Sequence, residues 1–110
     1  MHEDKAMAAI SQLCGEAGIA GHKPGQIRYT LLHNPEGGVL DDLMVARSPL
    51  VAGGLYIVVN AGTKEADFAR IEAAAGSKAR LIRAHANYAL LALQGPEAVN
   101  VMAQIAPAAV

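Results

Sequence analysis

The sequence predicts an α+β fold, a mostly antiparallel sheet containing a β-hairpin with two or three packed helices. Residues 26–33 and 39–46 both alternate at the two-residue period of a strand, and the turn sequence Asn34-Pro35-Glu36-Gly37-Gly38 separates them. Leu55 to Val59 is a nearly unbroken apolar run, and stretches of helical period closed by glycine or proline lie before, between and after the strand-like segments. The resulting order is helix, three strands, helix, two strands, helix, and 110 residues make one domain or one piece of a larger one.

The first helix rests on Met7, Ile10 and Leu13, with Ala8 and Cys14 beside them, and stops at Gly15. Gly18, Gly21, Pro24 and Gly25 then mark a loop. In the first strand Ile27, Tyr29 and Leu31 alternate with Arg28, Thr30 and Leu32. Pro35 presets one turn dihedral, Asn34 suits the opening position and the glycines accept positive φ, so the return strand pairs antiparallel with the first. Ser48 to Gly54 is a second turn. The run from Leu55 reads as a central strand buried on both faces. It ends at Asn60-Ala61-Gly62, where Thr63 is placed to cap a helix. Glu65 and Asp67 favour that helix's dipole, Phe68, Ile71 and Ala75 form its buried stripe, and Gly76 ends it. Residues 79–83 resemble an edge strand guarded by Lys78, Arg80 and Arg83, and residues 87–93 another apolar strand. Pro96 opens a last helix with Val99, Met102 and Ile105 on its inner face, and Pro107 closes it. Much of the apolar content is alanine, so a thin core is expected.

Composition excludes several function classes. Nine Lys plus Arg against ten Asp plus Glu leave a net charge of -1, without the basic stripe that nucleic-acid binding requires. Three Tyr, one Phe and no Trp cannot furnish base-stacking platforms, so no nucleic acid is expected as a partner. No segment approaches the ~20 consecutive apolar residues of a membrane span. The polar start is unlike a secretory signal, and a lone Cys14 forms no internal disulfide, so the expectation is a cytoplasmic protein without membrane contact. His2, His22, His33 and His85 lack the spacing that would put two on one helical turn, and no metal site is assigned. Gly37-Gly38 and Gly53-Gly54 fit no phosphate-loop pattern.

Asp41 and Asp42 are the most informative pair. Adjacent strand residues point to opposite faces, so the two cannot form a direct carboxylate dyad. Asp41 shares a face with Val39, Leu43 and Val45, and Asp42 with Leu40 and Met44. Either way a carboxylate lies among apolar side chains, which is costly unless it is hydrogen-bonded or paired. On spacing alone two readings stand open: one Asp belongs to a functional site, or the strand is a sheet edge with both carboxylates reaching water or capping a neighbouring backbone amide. Tyr29 and Asn60 could face the same pocket, but each also reads as ordinary sheet aromatic and turn residue. Cys14 reads as a small buried cysteine.

Three blocks carry a family resemblance: YTLLHNPEGGVLDDLMV at 29–45, LYIVVNAGTKEAD at 55–67 and ALLALQGP at 89–96. In order and spacing they resemble successive blocks of the aminomethyltransferase family, the T-protein of the glycine cleavage system. The resemblance covers roughly Lys23 to the C-terminus. It divides the chain into an atypical lead with a short helix, 1–22, and a partial folate-binding domain, 23–110.

What the resemblance implies is tetrahydrofolate-dependent transfer of the methylene group from an aminomethyl adduct on the lipoyl arm of the H-protein, releasing ammonia. By motif, Asp42 matches the family's essential carboxylate beside the folate and the reacting carbon. Tyr29 and Asn60 match folate-pocket positions, and Met44 a position whose backbone lies along the pterin. Ala46 stands where many relatives carry an aromatic. Relatives are several times longer, and the implied partners are the lipoylated H-protein and the remainder of the transferase, with little or no activity expected from this segment alone. Two alternatives accompany this reading: a folate-binding iron-sulfur assembly factor of the same superfamily, and an inactive truncated piece that acts only in folding or interaction.

Overall fold

The computed structural model describes residues 3–15, 19, 21–48 and 54–110. Its elements run α1 (Glu3–Cys14), β1 (Ile27–His33), β2 (Val39–Arg47), β3 (Leu55–Val58), α2 (Lys64–Ala75) and α3 (Ala98–Ile105), followed by a 3-10 turn at Pro107–Ala109. The three strands form an antiparallel sheet in the order β1-β2-β3, which makes the fold α+β as its periodicities predict.

The hairpin closes as its turn residues dictate. The Gly37 N–H donates to the Asn34 carbonyl at 3.0 Å and the Asn34 N–H to the Gly38 carbonyl at 2.8 Å. The Gly38 N–H reaches the Asn34 side-chain Oδ1 at 2.6 Å. Gly37 sits at φ +85°, a conformation that favours glycine, and a Cβ on Gly38 would come within 2.9 Å of Asn34 Nδ2, so a side chain there would displace the Asn34 amide from its bond to the Gly38 N–H. Beyond the turn, Leu32 pairs with Asp41 but His33 pairs with Val39. Leu40 is therefore the extra residue of a β-bulge, directly before the two aspartates.

Pleating sorts the sheet into two unlike faces. Thr30, Leu32, Leu43 and Val45 are buried on one, where α1 contributes Ile10 and Cys14, α2 contributes Ile71, and Ile19 fills the remaining space. Full burial of side chains such as Leu32 and Val45 stabilises by about 1.5–3 kcal/mol each. The other face carries Tyr29, Leu31, Asp42, Met44, Ala46, Tyr56 and Val58, and it stays open: Tyr29 is 66% and Tyr56 54% exposed. Burial pushes the Cys14 thiol up to about 11, against a smaller opposing effect of its hydrogen bond with Thr30, so Cys14 is a core residue and not a nucleophile.

Several expectations are corrected. β3 is not a central strand buried on both faces. Among the described residues it pairs with β2 alone, over Met44–Arg47, where β2 is the central strand; at Asp41 and Asp42 β2 pairs only with β1, and Asp41 Oδ1 accepts from the Asp42 N–H, so the sheet-edge reading holds locally in its backbone-capping form for Asp41. Residues 79–83 and 87–93 are not strands: no partner ladder meets them among the described residues, and an apolar run cannot hold strand geometry without one. Ile82, Tyr88, Leu90 and Leu91 are exposed in consequence. α3 forms where Pro96 predicts, but Val99 and Ile105 are exposed and Met102 only half-buried, so its apolar face is left largely open. The Cα radius of gyration, 15.1 Å against about 13 Å for a compact chain of this length, reflects this outlying part. Arg83 is not a free edge charge. It pairs with Glu72 at 3.0 Å and Glu65 at 3.4 Å and lies over the Phe68 ring, strapping the segment that follows α2 back onto it. The turn expected at 48–54 lies mostly outside the described residues, although the Ser48 N–H donates to the Gly54 carbonyl at 2.9 Å.

His22 is 3% exposed in the turn leading into β1. Burial, and then the positive charges of Arg28 and Arg47, hold its imidazole pKa below the ordinary value. The unfolded chain then takes up the proton first, so stability is full above about pH 6.5 and falls as pH drops below it, by at most about 1.4 kcal/mol per pH unit. Urea unfolding between pH 7.5 and 5 should show this slope in the parent chain and a shallower one in His22→Gln; equal slopes would contradict it.

Candidate functional site

The site forms where β2 leaves the hairpin and the chain passes from β3 into α2. The bulge at Leu40 sets the direction of the next two residues, with Asp41 on the core side of β2 and Asp42 on the open side. Asn60, two residues beyond β3, spans both. Its Nδ2 donates to Asp41 Oδ1 at 2.9 Å, to Asp42 Oδ1 at 3.0 Å and to the Asp42 carbonyl at 3.1 Å. Adjacent carboxylates on opposite faces are thereby joined by one amide, a coupling that strand alternation does not reveal.

Asp41 is the more heavily bonded of the two. Its Oδ1 also accepts from the Asp42 backbone N–H at 2.8 Å, and its Oδ2 accepts from the Thr63 hydroxyl. Thr63 precedes α2 as expected of a cap, but its side chain makes no capping bond and turns to Asp41 instead. The Thr63 hydroxyl, then the Asn60 amide and the Asp42 N–H, hold the Asp41 carboxyl well below the usual carboxylate range. Its contribution to stability is present above the ordinary aspartate value and is lost as pH falls through the lowered one.

Asp42 points to the open face together with Tyr29, which lies one pleat away on β1 opposite Met44. Hydrogen bonding to the Asp42 carboxylate, with lesser effects of burial and of the Asp42 and Asp41 charges, raises the Tyr29 phenol. All four site residues expected from the sequence, Tyr29, Asp42, Met44 and Asn60, thus converge on one end of one sheet face. Around them Leu31, Ala46 and Val58 give that face an apolar floor with a single carboxylate at its edge. Among the described residues, no three His, Cys, Asp or Glu side chains are grouped to hold a metal ion, and no helix is long and apolar enough to cross a membrane.

A family model described as the GCVT N-terminal domain matches residues 3–110. The chain belongs to this family. Proteins named aminomethyltransferase are similar to the GCVT segment over most of its length. That of Streptomyces coelicolor is 40% identical over 87 residues, 78% of this chain and 23% of the relative. That of Chromobacterium violaceum is 39% identical over 83 residues, covering 76% and 22%. That of Chlorobium phaeovibrioides is 35% identical over 85 residues, covering 76% and 23%. The chain therefore spans about a quarter of the length of the curated relatives it matches. No solved structure matches it.

Sequence reasoning missed the support beneath the site. Asp67 is 1% exposed and belongs to the same buried stripe as Phe68, Ile71 and Ala75. An acid at a stripe position of an amphipathic helix was the available signal, and reading it as a dipole residue hid it. Replacement of the Asn60 amide tests the bridge. Asn60→Asp sets a third carboxylate among two others and should lower the melting temperature more than Asn60→Ala at pH 7, and the gap should close as pH falls below about 4 and the carboxyls protonate. Equal melting temperatures for the two variants at pH 7 would remove Asn60 from the network.

Proposed function

We propose that this GCVT domain is the part of an aminomethyltransferase that presents an essential carboxylate to tetrahydrofolate. The overall reaction is transfer of a methylene group from the aminomethyl-lipoyl arm of the H-protein of the glycine cleavage system, with release of ammonia. The observation that carries the reading is Asp42, a carboxylate on an open, apolar sheet face, held by Asn60 from behind and hydrogen-bonded to Tyr29. The name shared by the relatives favours aminomethyl transfer over the iron-sulfur assembly branch of the superfamily.

The residues present fit a flat heteroaromatic with amine donors. Leu31, Met44 and Val58 offer an apolar surface to a ring, the Asp42 carboxylate accepts from a ring or linker N–H, and Tyr29 supplies an aromatic wall with a polar tip. Ala46 leaves open a place filled by an aromatic in many relatives, and Tyr56 stands opposite it across the β2-β3 ladder. Tetrahydrofolate supplies the nucleophilic amine when bound. Asp42 orients that amine by accepting its hydrogen bond, and it stabilises the positive charge that develops on the transferred carbon and nitrogen as ammonia departs. Asn60 keeps the carboxylate from rotating away. The remainder of the transferase and the lipoylated H-protein are the partners in this reading, and the cytoplasm is its compartment.

Because the role of Asp42 is electrostatic and positional, Asp42→Asn in the transferase carrying this segment should lower kcat by ~10²–10³. The KM for tetrahydrofolate should move less than tenfold, since the amide keeps the shape and one acceptor. Steady-state kinetics with aminomethylated H-protein measure both constants. An unchanged kcat would take Asp42 out of the mechanism.

A further inference from the structure

Asp67 is 1% exposed, and a carboxylate so placed should have every oxygen satisfied. Its Oδ2 has no hydrogen-bond donor. The Arg70 guanidinium stands 3.9 Å from Oδ1, beyond hydrogen-bond range, on a side chain 40% exposed to water. Thr63, whose hydroxyl donates to Asp41 Oδ2, opens the helical turn that holds Asp67, with the Asp67 backbone N–H on the Thr63 carbonyl at 3.1 Å, and this brings the Asp41 carboxyl to the Asp67 side chain.

Two carboxyl groups can bond to one another only through a proton. Asp41 is the poorer holder of it. Both Asp41 oxygens already accept, Oδ1 from Asn60 and from the Asp42 N–H, Oδ2 from Thr63, and bonds of that kind favour the ionised form. Asp67 is deeply buried with an orphaned oxygen, and a proton there turns an unsatisfied acceptor into a donor. We infer that Asp67 holds a proton that it shares with Asp41, and that through Asp41 it is the positioning residue for the Asn60 amide and hence for the Asp42 carboxylate.

Burial first, then the contact with Asp41 and its negative charge, raises the Asp67 carboxyl pKa above the ordinary aspartate value, and the Thr63 hydroxyl and Arg70 oppose this more weakly. The charged groups acting on Asp67 are thus Asp41 from β2 and Arg70 from its own helix. The raised value fixes the sign: the Asp67–Asp41 link is intact at low pH and opens as pH rises through the Asp67 titration, when two carboxylates confront each other. The Thr63 hydroxyl remains on Asp41, so the fold survives while the Asn60 amide loosens.

The inference rests on the folate reading only in making Asp42 the group that benefits, so its test begins without ligand. Carbon-detected NMR of the side-chain carboxyls and of the Asn60 Nδ2 amide is recorded against pH for the parent chain, Asp67→Asn and Asp67→Leu. The Asp67 carboxyl should titrate above the ordinary aspartate value, with the Asn60 amide resonances shifting at the same midpoint. Asp67→Asn, whose amide donates as the acid does, should keep the low-pH Asn60 resonances at all pH values. Asp67→Leu, which has no donor, should give Asn60 resonances like those of the parent above the midpoint.

An Asp67 carboxyl titrating at or below the ordinary value, or Asn60 resonances indifferent to Asp67→Leu, overturns the inference. If Asp67→Leu does not fold, the pH profile of Asp67→Asn decides alone. Tetrahydrofolate titrations of the same chains then separate the two claims. Affinity more than tenfold weaker in Asp67→Leu and within threefold of the parent in Asp67→Asn supports the link to Asp42, while equal affinity in all three breaks it. A parent chain that binds no tetrahydrofolate defeats the folate reading and leaves the carboxyl titration to judge Asp67.

Discussion

The side-chain amide of Asn60 is the contact on which the rest of the site depends. One nitrogen with two protons serves three acceptors, Asp41 Oδ1, Asp42 Oδ1 and the Asp42 carbonyl, and it does so from a segment that is itself fixed between β3 and α2. A strand alone cannot aim two consecutive carboxylates into one network, because pleating sends them apart. An amide at the strand end can reach around the edge of the backbone to both. That arrangement links the buried side of the sheet, where stability resides, to the open side, where a ligand can approach.

The two faces of β2 divide the chemistry accordingly. On the core side Asp41 is ringed by the Thr63 hydroxyl, the Asn60 amide and the Asp42 N–H, which together make it a strong acid and a rigid acceptor. It also lies beside the N-terminus of α2, where the helix dipole favours a negative charge. On the open side Asp42 has fewer partners, Asn60 and Tyr29, and keeps acceptor capacity to spare. A carboxylate saturated with donors suits support, and one with lone pairs left over suits recognition. The bulge at Leu40 separates this pair from the regular hairpin before it, which has its own self-contained hydrogen bonds around Asn34.

Local chemistry was legible in the sequence and long-range pairing was not. The hairpin, its turn, α1 up to Gly15 and α2 between Thr63 and Gly76 all follow from punctuation residues and periodicity. The runs at 79–83 and 87–93 have strand composition but no partner ladder among the described residues, and period alone cannot supply one. The apolar β3 reads as central for the same reason: its composition records a capacity for burial on both faces, which this chain uses on one. Within the site, Tyr29, Asp42, Met44 and Asn60 follow from the matched blocks, whereas the coupling of Asp41 to Thr63 and Asp67 requires β2 and α2 to be placed side by side. Asp67 left a trace in the helical stripe, an acid among Phe68, Ile71 and Ala75, that its place in the first turn disguised as a dipole residue.

In this reading the open face of the sheet, organised from behind by Asn60, is where tetrahydrofolate is received. A chemical-shift map of the isotopically labelled chain during addition of tetrahydrofolate tests this most directly. Perturbations should centre on Tyr29, Leu31, Asp42, Met44 and the Asn60 side-chain amide, with Ile10, Leu43 and Ile71 on the core side little changed. Saturable shifts that fall elsewhere and leave Asp42 and Met44 unmoved would contradict it.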